Sequence, residues 1–280
     1  MMKSLRQIDL IFLFVLSMGP AWASAFAKGD SAPISFGVVP QQSASTLARI
    51  WNPLLDYLSQ QTGRRIVFRT APDIPTFEQR LASGEYDIAY MNPYHYTIFS
   101  REPGYRVFAK ERNRQIKGIL VVRKESKLQT LDQLADLTLA FPSPAAFAAS
   151  LLPRAHLKQQ DIPFSVKYVT SHDSVYRAVA KGLYPAGGGV IRTFNSVVPQ
   201  VREQLRVLWT TPGYTAHAIA AHPRLVPQLV QTIAAALFSV DHSSKEGDLL
   251  TPLNMQGFEA AEDRQWDDVR ELNIDLPLGK

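Results

Sequence analysis

The sequence predicts an α/β chain of two lobes, each a mixed sheet flanked by helices, joined by two extended hinge strands. Three observations carry this. Short apolar runs alternate with segments whose apolar residues fall on one helical face, glycine and proline punctuate the joins, and the same strand-helix order occurs twice. The second pattern lies between segments of the first, so the backbone must cross between lobes twice.

The first unit opens with a strand over residues 34–39. Across residues 45–62, Leu47, Ile50, Trp51, Leu54, Leu55 and Leu58 recur at spacings of three and four, which places them on one face of a helix. Pro53 either kinks this helix or marks its true first turn, and Gly63 closes it. Residues 66–70 read as a second strand, 76–82 as a short helix with Phe77 and Leu81 inward, and 87–91 as a third strand. Strands joined by helices in this way form a parallel unit. Pro93 suits the first turn of a helix through Ser100, and strand-like runs cover 106–109 and 116–123.

In the second unit Thr130 caps a short helix through Ala135, residues 137–141 form a strand, and 144–157 are helical in pattern. Strands over 165–169 and 186–190 flank a helix over 173–181 that Gly182 ends. Residues 205–209 and 216–221 read as return strands, 223–240 as an amphipathic helix opened by its proline, and the acidic tail 259–272 as helical. The crossings are expected at 117–123 and 208–218. This assigns 28–118 with 214–280 to one lobe and 119–213 to the other.

Residues 1–27 carry the pattern of a secretory signal peptide. A cationic start through Arg6 precedes an apolar core over 10–16, and small residues follow at Ala21, Ala23, Ala25 and Ala27. Gly19-Pro20 cuts the apolar run well below the roughly 20 residues that a spanning helix needs. Cleavage after Ala23, Ala25 or Ala27 satisfies the small-x-small rule, and the expected destination is the periplasm. The chain has no cysteine, which excludes lipid acylation, disulfides, thiolate nucleophiles and cysteine-ligated zinc. Stability must come from a core, and a mature chain on the order of 250 residues is long enough to bury one.

The formal charge is +5, and loss of Lys3, Arg6 and Asp9 with the signal leaves +4. Cations are interspersed with acids except in a short basic stretch over 110–117, so nucleic-acid or membrane-surface binding is not expected. The modest positive balance suits a small anionic ligand.

The stretch Gly84-Glu85-Tyr86-Asp87-Ile88-Ala89-Tyr90-Met91-Asn92-Pro93-Tyr94-His95-Tyr96 says where that ligand sits. Gly84 suits the left-handed position after a helix, the apolar run 87–91 suits a strand buried on both faces, and Asn92-Pro93 ends it. Open parallel sheets bind ligands beyond the carboxyl ends of their strands, so this polar-aromatic cluster falls at the mouth of a site.

Ser35-Phe36-Gly37-Val38-Val39, Trp51-Asn52-Pro53-Leu54, Thr62-Gly63 and the run from Gly84 to Tyr90 stand in a distinctive order, with Ser171-His172-Asp173 and Thr211-Pro212-Gly213 beyond them. Together they resemble the phosphate/phosphite/phosphonate-binding family of ABC-transporter periplasmic proteins over nearly the whole mature chain. The resemblance implies a type II periplasmic-binding-protein fold whose lobes close on a ligand. It implies ligand contacts in the first βα loop at Gln42 and Ser43, at the strand end Tyr90 or Met91 with Asn92, and at His172.

Members of that family hold the phosphonate with a Ser-Thr-Ser type run at the start of the second lobe's first helix. Here Ala146-Phe147-Ala148 stands in its place, with Ser143 and Ser150 the nearest hydroxyls. Each charge-assisted hydrogen bond lost costs roughly 1.5 to 3 kcal/mol. The resemblance therefore implies a shifted ligand that is smaller, less charged, or partly aromatic or apolar. The family's carboxylates for an aminoalkyl group align near Ile191 and His217, so an anionic or neutral ligand fits better than an amine.

Each residue also has a purely structural alternative. His172 either contacts the ligand or caps its helix, and His217 either contacts it or is a satisfied core histidine. Tyr94 and Tyr96 suit ordinary packing. Gly187-Gly188-Gly189 either lets a backbone approach a ligand or forms a plain loop, since no Lys-Ser/Thr follows it. Arg192 either clamps an anion or faces solvent. His95, His172 and His217 lack metal-ligand spacing, no Gly-x-Ser-x-Gly elbow is present, and neither metal, cofactor nor catalysis is expected. The expected role is a monomeric solute receptor docking on an ABC permease. The alternative is a periplasmic ligand-sensing protein that signals to a sensor kinase with a non-phosphonate ligand.

Overall fold

Two sheets organise the described residues, 32–240 and 248–274, of the computed structural model. The expected signal peptide and its cleavage points lie outside them. The chain begins with β1 (Ile34–Val38), α1 (Ala44–Thr62), β2 (Ile66–Arg69), α2 (Ile74–Ala82), β3 (Ile88–Met91), α3 (Pro93–Phe99) and β4 (Arg106–Glu111). After the two-residue β5 (Gln115–Ile116) come β6 (Gly118–Arg123), β7 (Leu137–Phe141), α4 (Leu152–Gln159), β8 (Phe164–Tyr168), α5 (His172–Ala180) and β9 (Ala186–Val190). Then follow α6 (Ile191–Ser196), α7 (Pro199–Arg202), β10 (Leu205–Thr210), β11 (Tyr214–Thr215), β12 (Ala218–Ala221), α8 (Pro227–Ser239), β13 (Phe258–Ala260) and α9 (Asp267–Arg270).

The first sheet runs β13-β4-β12-β3-β1-β2, with β1 parallel to β2 and β3, and β12 antiparallel to both β3 and β4. The second runs β10-β6-β9-β7-β8. The apolar face of α1 explains its seat, for Leu47, Trp51, Leu54, Leu55 and Leu58 are buried while Pro53 lies on the exposed side. A proline there forfeits one backbone bond without ending the helix. Gly63, at φ 63°, takes the left-handed position that stops it.

The crossings are shorter than expected. Gln115–Ile116 and Tyr214–Thr215 pair antiparallel as their own two-stranded ribbon, whereas Gly118–Arg123 is a full strand of the second sheet. The C-terminal segment buttresses the return crossing. Thr215 donates its N–H to Asp268 Oδ2 (2.7 Å) and its hydroxyl to Gln265 O (2.6 Å), while Trp266 Nε1 donates to Ala216 O (3.1 Å).

Other expectations shift for local reasons. The helix expected over 223–240 starts at Pro227, because Pro223 sits in the turn after β12, where the Leu225 N–H meets His222 O. The acidic tail is not helical at its start, since Glu259 lies in β13 opposite Lys110 of β4, where the two side chains form an ion pair. Thr130 caps nothing; the Gln133 side chain accepts the N–H groups of Gln129 and Thr130 at the start of a single 3₁₀ turn.

The pattern over 144–157 resolves into a π-helical turn, Phe147–Leu151, that leads into α4. Pro153 has no N–H to give to Ala149 O, the acceptor four residues back, which favours the wider turn. This turn lies on the glycines of the second sheet. A Cβ on Gly188 would come within 1.9 Å of Ala149 O, and one on Gly118 within 1.9 Å of Ala148 O. The Gly187-Gly188-Gly189 run is thus strand β9, bare so that the chain's own helices can rest on it. Gly188→Ala is expected to cost about 1 to 3 kcal/mol through overpacking. A urea titration checks this, and an unchanged midpoint would rule it out.

Candidate functional site

Where the two sheets meet, one apolar cluster runs through both. Ala145, Ala146, Phe147, Ala148 and Leu151 of the π-turn region belong to the same buried group as Tyr90, Met91 and Ile116. Phe147 is 1 % exposed, and its ring meets that of Tyr214 edge-on at 5.6 Å. The expected Ala146-Phe147-Ala148 contact run is therefore packed seam. Ser143 Oγ and Ser150 Oγ are buried beside it with no hydrogen-bond partner among the described residues.

Polar contacts fasten the same junction. Asn92 caps α3 by accepting the His95 N–H at 2.8 Å, and its Nδ2 donates across the junction to Ala145 O at 3.1 Å. Behind it, His95 Nε2 lies 3.0 Å from Glu78 Oε1 in a fully buried pair. The His172 N–H donates to Gln41 O at 3.1 Å, so the start of α5 rests on the loop after β1. Ser171, not His172, supplies the cap of α5. The His172 ring points inward, Nδ1 lying 3.0 Å from Thr193 Oγ1.

Arg192, at the start of α6, is the centre of the arrangement. Its Nη1 donates to Tyr90 Oη and its Nη2 to Glu111 Oε2, both at 2.7 Å. With its side chain 14 % exposed it does not face solvent. Burial raises the Tyr90 phenol, with Glu111 adding to the rise and Arg192 opposing it. Burial likewise pushes the Glu111 carboxyl up, while Arg192 and Arg114 pull it back. Tyr90 in turn stacks on His217 at 4.8 Å and 14°, and His217 Nε2 lies 3.0 Å from Gln41 Nε2.

Beside Arg192 lies a cavity of about 470 Å³. Its polar lining includes Arg192, Tyr90, Gln41, Thr193, Arg49, Asn195, Ser196, Thr251 and Asn254, and its apolar lining includes Leu47, Ile50, Leu253 and Met255. Among the described residues neither Asp nor Glu lines it. Of the residues expected from the sequence, Gln42 and Tyr90 line this cavity; Ser43, Asn92, Ser143, Ala146, Phe147, Ala148, His172 and His217 do not. Ser43 is exposed and caps α1. Among the described residues no group of three or more His, Asp or Glu is placed to hold a metal, and no helix is long and apolar enough to cross a membrane.

Sequence reasoning did not find Glu111, Gln41, Arg49 or Asn195. Glu111 left one usable signal, as the only acid in the basic stretch 110–117.

Two sheets joined by a pair of crossing strands, with a polar cavity at their junction, define a two-lobe solute-binding protein. The chain matches the family model described as ABC transporter, phosphonate, periplasmic substrate-binding protein over residues 36–266, and it belongs to that family. It is 22 % identical to the phosphate-import protein PhnD of Mycolicibacterium smegmatis, over 89 % of this chain and 87 % of that one. It is also 22 % identical to the phosphonates-binding periplasmic protein of Escherichia coli, over 95 % and 83 %. Among solved structures, a binding-protein component of an ABC phosphonate transporter from Pseudomonas aeruginosa superimposes with a TM-score of 0.79 at 21 % identity, covering 86 % of this chain and 85 % of that one. PhnD1 of Prochlorococcus marinus, in complex with methylphosphonate, gives 0.79 at 19 % identity, covering 86 % and 96 %.

Burial lowers the His172 imidazole to about 3, and burial with the nearby Arg192, His95 and His172 holds His217 well below its usual value. Unfolded, both titrate near 6.5. Below that pH the unfolded chain binds more protons than the folded one, so stability is full above pH 6.5 and is lost as pH falls toward 3. His172 alone is expected to cost about 1.4 kcal/mol per pH unit in that window. Urea titrations from pH 7 to 4 measure the slope, and a slope that His172→Gln leaves unchanged would exclude the assignment.

Proposed function

We propose that this chain is the periplasmic solute receptor of an ABC importer for a small oxyanion of the phosphate/phosphonate class. A cleaved signal over residues 1–27 delivers it to the periplasm. It binds its ligand as a monomer where the lobes meet, then docks on an inner-membrane permease. In this reading residues 32–111 with 214–240 and 248–274 form one lobe and 118–210 the other, and closure swings them about the Gln115–Ile116 and Tyr214–Thr215 ribbon. Catalysis has no part in it.

The observation that carries the proposal is the charge of the cavity, where two guanidiniums, Arg49 and Arg192, meet no acid on the lining. A low-dielectric pocket of one sign attracts the opposite charge. Tyr90, Gln42 and the Gln41 amide supply neutral donors around it. An amine would find no carboxylate on these walls.

The exported protein, taken from the periplasm, is to be screened by thermal shift with phosphate, phosphite, methylphosphonate, aminoethylphosphonate, phenylphosphonate, sulfonates and small carboxylates. A ligand that binds only the folded state adds about 2.7 kcal/mol at 100 times its Kd. An oxyanion is expected to raise the midpoint and the amino group of aminoethylphosphonate to add nothing. Arg192→Gln is expected to weaken the hit by about tenfold or more in calorimetry. No shift with any anion, or a response confined to cations, would overturn the proposal.

A further inference from the structure

Resting on that reading, we infer that the anion site has moved in this chain from the seam to the cavity beside Arg192, and that the ligand is an organophosphonate or organophosphate with an apolar body. The first support is steric. Ala146, Phe147 and Ala148 are at most 3 % exposed and pack into the core cluster they share with Tyr90 and Ile116, so the run that would face an anion is occupied by protein. Neither methyl groups nor a phenyl ring donates a hydrogen bond to an oxyanion.

The second support is the donor set on the other side. A guanidinium has five N–H donors, of which Tyr90 and Glu111 take two. Arg192 itself, with Gln41, Gln42 and Thr193, belongs to the polar part of the cavity's lining. Glu111 compensates the Arg192 charge from outside the cavity, so the guanidinium is held in place without a carboxylate covering the lining.

The third support is size and shape. A cavity of about 470 Å³ falls in the range of roughly 300 to 1,000 Å³ typical of organic ligands. Ile50, Leu253 and Met255 add apolar surface to the same lining, which Asn195 and Thr251 also share. A bare phosphate would leave that apolar surface unused. An oxyanion with a ring or short alkyl chain matches both kinds of lining.

Calorimetry on the exported protein tests this with phenylphosphonate, phenyl phosphate, methylphosphonate, inorganic phosphate and benzoate. Phenylphosphonate or phenyl phosphate is expected to bind about tenfold or more tightly than methylphosphonate or phosphate. Asn195 is exposed, so its variants should fold. Asn195→Glu should weaken the best ligand on the order of fivefold and Asn195→Lys should strengthen it, while Ser143→Ala should change nothing. Methylphosphonate or phosphate binding as tightly as the aryl compounds, or affinity that falls in Ser143→Ala and ignores both Asn195 variants, returns the anion to the seam. That outcome overturns this inference and leaves the receptor reading standing. Benzoate binding tighter than both aryl phosphoryl compounds overturns the ligand class, and so does binding of none of the five; the receptor reading falls with it only if phosphite, the sulfonates and the small carboxylates of the thermal-shift screen give no response either.

Discussion

A guanidinium buried where two lobes meet must be paired, and much of this structure follows from that need. Moving a charge out of water costs several kcal/mol unless partners replace the solvent. Arg192 finds those partners in residues of the first sheet, Glu111 at the end of β4 and Tyr90 near the end of β3. One side chain from the second lobe therefore reads the relative position of two strands in the first. Removing either partner would leave a buried charge under-satisfied. The cavity takes its sign from the same residue.

The seam beside Arg192 obeys packing more than charge. A π-turn sets the Phe147 ring into the shared core, and that turn can approach the second sheet only because Gly118 and Gly188 carry no Cβ where the Ala148 and Ala149 carbonyls rest. Polar anchors stand on either side, Asn92 to Ala145 and His172 to Gln41. The return crossing is meanwhile tied to Gln265, Trp266 and Asp268, so the ribbon that connects the lobes is braced from the first lobe. The family's two-lobe plan is retained here.

Much of the fold was legible because its signals are local. The spacing of Leu47 to Leu58, the glycine at 63 and the apolar run before Asn92-Pro93 each impose their element without help from distant residues. Where tertiary contacts decide, the sequence misleads. Glu259 looks like part of an acidic helix until β4 offers it a strand to pair with, and although Gly187-Gly188-Gly189 falls in the strand expected over 186–190, only the fold shows what lies on it. The site divides in the same way. Tyr90 follows from strand-end logic and Gln42 from the family resemblance, whereas Glu111, Gln41 and Asn195 gain meaning only once the fold assembles the cavity and its arginine.

The position of β12 bears on how the chain comes together as it is made. Ala218–Ala221 lies between β3 and β4 in the first sheet, yet it is made only after the entire second sheet. Until it arrives, β3 and β4, which have no direct pairing in the final sheet, leave their facing edges open. Unpaired edges invite association with other chains, and pairings this distant in sequence form slowly. The first lobe therefore completes its sheet last, although most of it is synthesised first. A chain made from its N-terminus delivers its own keystone near the end, so the interval before residue 221 emerges is the one in which it most needs protection from aggregation.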